Sequence, residues 1–172
     1  PPVAGQGWDG LWLDRKNGLF LRTRDVPTGV RLHYAVSPAV LTPISETRAE
    51  ASGVALSRDG DALMMTRQAE NLTVRAVPLV PVEYADGATV AGRYRSNAIN
   101  ATLEIESRDG AAYIGFSGLL GTGPMERMYP LAADLWTVTT RRAMDAAPPG
   151  EWTLQILRDA AGNTKGLTLG CW

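Results

Sequence analysis

Residue types that run reactions are scarce in this 172-residue chain: it has one histidine, His33, one cysteine, Cys171, and two lysines, Lys16 and Lys165. A serine nucleophile activated by a lysine needs Ser-x-x-Lys, which sets both side chains on one helical face. Neither lysine follows a serine at that spacing, because Leu13 and Gly162 stand three places before them. A Ser-His-Asp arrangement would have to use His33. That residue alternates with Arg31 and Ala35 on a face that reads as solvent-exposed, which marks an ordinary surface histidine. One histidine and one cysteine far apart do not make a usual zinc set. Gly118, Gly121 and Gly123 do not follow the spacing of a dinucleotide or phosphate loop, and no helix is expected after them. We therefore expect no catalytic residue, no metal and no cofactor in this chain.

Two segments stand apart from this negative result. The first runs from Gly118 to Trp136 and is too long and too apolar for a turn. Leu119, Leu120, Met125, Met128, Tyr129 and Trp136 would be costly to leave in water together, at about 25 cal/mol per Å² of apolar area, so part of the stretch should be buried. Within it Met125, Glu126, Arg127, Met128, Tyr129, Pro130, Leu131, Ala132, Ala133, Leu135 and Trp136 form a candidate specificity loop around Asp134. The neighbours of Asp134 in sequence offer no cation, and a desolvated carboxylate needs a positive partner or hydrogen bonds. A ligand ammonium is one such partner. The other reading makes Asp134 a strand-entry aspartate that faces water or accepts backbone hydrogen bonds. Glu126, with Arg127 beside it, is the weaker carboxylate. The second segment, Arg141 to Gly150, carries Arg141 and Arg142, which suit a bidentate carboxylate as well as a solvated hairpin end.

The elements that must position these residues read as strands. Val30, Leu32, Tyr34 and Val36 share one face against Arg31 and His33, and Leu103 and Ile105 oppose Thr102, Glu104 and Glu106. Asn17-Gly18, Asp59-Gly60, Asp86-Gly87, Asp109-Gly110 and Gly162-Asn163 punctuate the chain at strand-length intervals, and such pairs supply the positive φ values of tight hairpins. The pattern predicts strands over 10–14, 18–24, 30–36, 53–57, 62–67 and 71–77, then over 91–96, 101–107, 111–117, 126–131, 135–140, 151–158 and 167–172. Gly10-Leu11-Trp12 and Gly92-Arg93-Tyr94 repeat one glycine-x-aromatic opening 82 positions apart. Pro78 to Thr89 interrupts the pattern, so we expect two domains, 1–80 and 81–172. The fold class expected is all-β, with two small antiparallel up-and-down barrels in tandem, since closure removes exposed sheet edges. The opening is similar to the first strand of lipocalin-like and streptavidin-like barrels.

Composition narrows the partners. A net charge of −1, from 17 basic and 18 acidic residues, gives no footprint for nucleic acid or an anionic membrane. No apolar run approaches the ~18 residues of a membrane span. A lone cysteine permits no intrachain disulfide and favours a reducing, cytoplasmic setting. The opening Pro1-Pro2-Val3 suggests a processed or excised piece. A stand-alone ligand-binding pair of barrels would line a cavity with Trp12, Tyr34, Tyr94 and Phe116, although such aromatics also serve as core filler. A purely structural or dimerisation module is the third option.

From Trp8 through Trp172 the chain resembles the two C-terminal β-barrel domains of the bacterial D-aminopeptidase family, penicillin-recognising serine hydrolases related to β-lactamases and D,D-peptidases. The stretches Trp12 to Gly18 and Met128 to Trp136 carry the likeness. The resemblance implies an N-terminal β-lactamase-like catalytic domain as partner, holding the Ser-x-x-Lys nucleophile and a tyrosine that cannot be placed here. It implies a peptide or amide substrate with an N-terminal D-residue, a homodimer, and a loop of the last barrel that enters the catalytic cleft. Asp134 would then hold the substrate's free amine, and this chain alone would be inactive.

Overall fold

A computed structural model describes residues 7–34, 38–119, 121–138 and 151–170. Their contacts divide them into two units, up to Val80 and from Pro81 to Gly170, each with its own core.

The first unit is a closed antiparallel barrel of eight strands in sequence order: β1 Gly10–Asp14, β2 Leu19–Val26, β3 Gly29–His33, β4 Ala39–Ser45, β5 Arg48–Ala51, β6 Val54–Asp59, β7 Ala62–Arg67 and β8 Leu72–Leu79. Alternation drives it: Leu19, Leu21 and Thr23 on β2 and Val30 and Leu32 on β3 point inward, while Arg31 and His33 are exposed. A hydrogen-bond chain plugs the interior. Trp12 Nε1 donates to Thr23 Oγ1 at 2.8 Å, and the Thr23 hydroxyl donates to the Trp8 carbonyl. Arg58 covers the Trp8 ring at 4.9 Å.

The pattern missed β4 and β5. Their inward residues Leu41, Pro43 and Ala49 alternate as a strand should, but Val40 and Ile44 leave apolar side chains on the wet face and blur the period. The proline inside β4 also reads as a strand breaker. Val36 lies outside the described residues.

The second unit is an antiparallel sheet in the order β16-β15-β14-β13-β11-β10-β9, with the short β12 paired to β11. Its strands are β9 Gly92–Ser96, β10 Ala101–Arg108, β11 Ala111–Gly118, β12 Gly121–Thr122, β13 Glu126–Ala132, β14 Leu135–Val138, β15 Trp152–Arg158 and β16 Thr164–Gly170. Ile105, Ile114, Met128, Trp136, Val138, Leu154 and Ile156 fill its core. The sheet curls into a nearly closed barrel. Asp109 and Gly110, with φ of 51° and 77°, form the two-residue turn between β10 and β11 that Asp-Gly favours.

The repeated glycine-x-aromatic opening has a steric cause in the first unit and a backbone cause, a φ of 156° at Gly92, in the second. A Cβ on Gly10 would stand 2.8 Å from the Trp12 ring, and one on Gly92 3.7 Å from the Tyr94 ring, so in each unit the aromatic folds back over its glycine. Trp12 and Tyr34 belong to the first core, and Tyr94 and Phe116 pack against the second.

Candidate functional site

Most of the candidate segment is framework. Residues 126–132 and 135–138 form the β13–β14 hairpin, with Met128 opposite Val138 and Pro130 opposite Trp136. Met128, Leu131, Ala132, Leu135 and Trp136 are buried, whereas Tyr129 is 51% and Leu119 89% exposed. Met125 lies so close over β11 that a Cβ at Gly115 would collide with its sulfur. The strands expected over 126–131 and 135–140 are present, and Met128, Leu131, Leu135 and Trp136 are hidden in their own barrel, while 123–125 connects the short β12 to β13. Leu120, Arg141, Arg142 and the remainder of 139–150 lie outside the described residues.

Asp134 sits at the hairpin turn beside Ala133, with φ of 57°, a left-handed conformation that aspartate tolerates. Its sequence neighbours bring no cation, but Arg158 does. Asp134 Oδ1 accepts from Arg158 Nε at 2.8 Å and lies 2.7 Å from Nη2. The backbone adds a second tie, the Ile156 N–H donating to the Asp134 carbonyl at 2.7 Å. Arg158 Nη1 donates to the Gly162 carbonyl and to Thr164 Oγ1, both at 3.2 Å. Asp134 thus clamps the β13–β14 hairpin to the β15–β16 hairpin. The bond to Asp134 pushes the Arg158 pKa further up. The Asp134 and Arg158 side chains are 39% and 29% exposed, so the pair is partly solvated.

Arg127 and Tyr129 point outward together, the guanidinium lying 5.2 Å from the ring centroid. They border a shallow cleft of about 180 Å³ whose floor includes Ala112, Met128 and Trp136 and whose rim carries Glu83, Tyr84 and Asp109. Glu126 pairs across to Ile114. None of Trp12, Tyr34, Tyr94 and Phe116 lines this cleft, so the ligand-binding alternative gains no support from it. Among the described residues no group of three or more histidine, cysteine, aspartate or glutamate side chains could hold a metal ion, and no helix is long and apolar enough to cross a membrane.

Fold and site together define a tandem β-barrel module whose polar clusters, among the described residues, brace hairpins. Comparison with known proteins gives that class a family. The family model described as D-aminopeptidase, domain B, matches residues 3–172, and the chain belongs to that family. It is 50% identical over 173 residues to a D-aminopeptidase of Cereibacter sphaeroides, covering 100% of this chain and 33% of that protein. It is 38% identical over 170 residues to one of Brucella ovis, covering 98% of this chain and 32% of that protein. The chain spans about a third of the length of these relatives.

Proposed function

We propose that this chain is the accessory, non-catalytic part of a D-stereospecific aminopeptidase. The observation that carries the reading is the family match over residues 3–172 in a chain that is a third of its relatives' length and has no Ser-x-x-Lys. In this reading a β-lactamase-like domain outside the chain performs the chemistry: a serine activated by lysine is acylated by the substrate, and water releases the product. The second unit restricts which substrates fit. A loop that narrows the cleft admits a short substrate with a free ammonium and refuses longer D,D-peptides. Because β13 and β14 belong to the barrel, the reach within 118–136 falls to the stretch between β11 and β13, with the exposed Leu119 near its start.

Asp134 enters this proposal with a narrower role. Both Arg158 contacts use Oδ1, so a substrate amine would meet Oδ2. A carboxylate already beside a guanidinium attracts a second cation less strongly, so we rank the loop above Asp134 as the source of specificity. Steady-state hydrolysis of D-alanine p-nitroanilide by the full-length parent separates the two. If Asp134 touches the amine, Asp134→Asn raises KM at least fivefold while Arg158→Gln leaves it near wild type. Equal, small effects of both substitutions would reduce Asp134 to a hairpin clamp. Shortening 119–124, and in a separate variant 141–149, should relax the preference for a free amine in whichever variant has lost the cleft loop; unchanged selectivity in both would overturn the specificity role.

A further inference from the structure

The arginines of the first unit fall into two groups. Arg48, Arg67 and Arg75 each pair with a carboxylate of their own barrel: Glu50, Glu70 and Asp59 respectively. The ribbon of β2 and β3 is different. Arg22 and Arg24 alternate with the buried Leu21 and Thr23, and Arg31 and His33 with the buried Val30 and Leu32, so all four stand exposed on the outer face. The register sets Arg22 opposite His33 and Arg24 opposite Arg31. Arg22 lies over the Phe20 ring at 5.3 Å, but among the described residues none of the four makes an ion pair. The residues of 1–80 outside that set, 1–6 and 35–37, contain no aspartate or glutamate. The neighbouring carboxylates are engaged elsewhere: Asp25 accepts from the Gly7 and Trp8 N–H groups, and Asp9 accepts from the Asp25 N–H at 2.6 Å.

Like charges directly opposite one another destabilise a strand pair, and a guanidinium without a carboxylate forgoes its strongest hydrogen bonds. Opposed positions lie about 5 Å apart across the strands and alternate positions about 7 Å apart along them, a grid that several carboxylates of one surface can match. Val40, opposite Arg31, and Ile44 flank the ribbon on β4 and are 45% and 59% exposed. Arginine beside exposed apolar side chains is the make-up of a protein interface; a phosphate backbone has no use for the apolar part. Beyond this ribbon the charges balance, 17 basic against 18 acidic over the whole chain, so a long polyanion would meet as much repulsion as attraction.

We propose that the outer face of β2 and β3 docks an acidic protein surface carried by the remainder of the parent polypeptide, with carboxylates set between Arg24 and Arg31 and beside Arg22, and apolar contact at Val40. The chain is a third of its relatives' length, so most of the parent lies outside it. An acidic face on the same polypeptide meets the patch at an effective concentration that a separate anion does not match. The inference rests on the chain being part of a longer protein, and it stands or falls independently of the specificity role and of any contact with substrate.

Carbodiimide coupling in the full-length parent tests it. Arg24→Lys and Arg31→Lys keep the charge and place a primary amine at each position. The carbodiimide activates a carboxylate, and an amine in direct contact with that carboxylate displaces the urea and forms an amide. The docked face predicts a cross-link from position 24 or 31 to an aspartate or glutamate outside this chain, within a single polypeptide, read by peptide mass spectrometry. No cross-link, cross-links only to carboxylates of this chain, or cross-links between two copies overturn the proposal. The wild-type parent gives a second reading that no substitution disturbs: phenylglyoxal should modify Arg24 and Arg31 at least fivefold more slowly than the exposed Arg15, at every protein concentration. Equal rates contradict the proposal. Protection that appears only when an oligonucleotide or phosphatidylserine vesicles are added assigns the patch to a polyanion and contradicts it as well.

Discussion

The two units use one opening device to different ends. In the first, Trp12 lies over Gly10 and is buried in a closed barrel, its indole N–H joined through Thr23 to the Trp8 carbonyl. In the second, Tyr94 lies over Gly92 and donates its hydroxyl to the Val90 carbonyl at 2.8 Å, but it sits on an edge strand and keeps part of its surface in water. The first unit closes on itself; in the second, β9 and β16 end the sheet among the described residues, and Arg127 and Tyr129 border a cleft. That contrast shows one opening device serving a fully buried core in one unit and a sheet edge in the other. An exposed edge and exposed aromatics cost solubility, and proteins keep such surfaces where they are used.

The contrast yields predictions, the largest of them in the closed barrel. Leu21→Ala removes a fully buried side chain from the closed barrel and should cost about 2–5 kcal/mol in chemical denaturation. Exposed Leu119→Ala should change stability by less than about 0.5 kcal/mol and report on substrate selectivity instead. Gly10→Ala should cost about 1–3 kcal/mol because its Cβ meets the Trp12 ring, and a Trp12→Leu background should relieve most of that cost. Gly92→Ala meets no such contact. Its φ of 156° is the source of strain, at about 1–3 kcal/mol, and Tyr94→Leu should give no relief. Nearly additive effects in the Gly10 cycle would break the account of the repeated opening.

A pH titration sharpens the same comparison. Burial, then the hydrogen bond to Glu70, pushes the Tyr34 hydroxyl pKa up to about 12 from 10.0. A raised folded pKa means that the stabilisation is fully present below pH 10 and is lost as pH climbs through about 12. Tyr34→Phe should therefore flatten the alkaline loss of stability between those values, as read by denaturation midpoints at stepped pH. A modest effect belongs to the clamp: Asp134→Asn or Arg158→Gln should cost about 0.5–1 kcal/mol, because the pair is partly solvated.

Much of the framework was readable in the sequence, for reasons that individual residues show. Val30 and Leu32 alternate with Arg31 and His33, and Asp109-Gly110 names its own turn. β4 stayed hidden because Val40 and Ile44 put apolar groups on the solvent side. At the candidate site the missed residue was Arg158. It stands 24 positions from Asp134, and only the stacking of two hairpins brings them together. An ion pair between hairpins leaves no trace in local periodicity; the one available signal was an arginine at the end of a predicted strand.

The central claim is that the chain sets specificity and does no chemistry, and the most direct measurement is the ratio of kcat/KM for D-alanine p-nitroanilide to that for its N-acetylated form. It should be taken in the full-length parent and in a parent lacking residues 81–170. The account predicts that removal lowers this ratio at least tenfold while leaving measurable acyl transfer. An unchanged ratio would contradict it and leave the two barrels as scaffold.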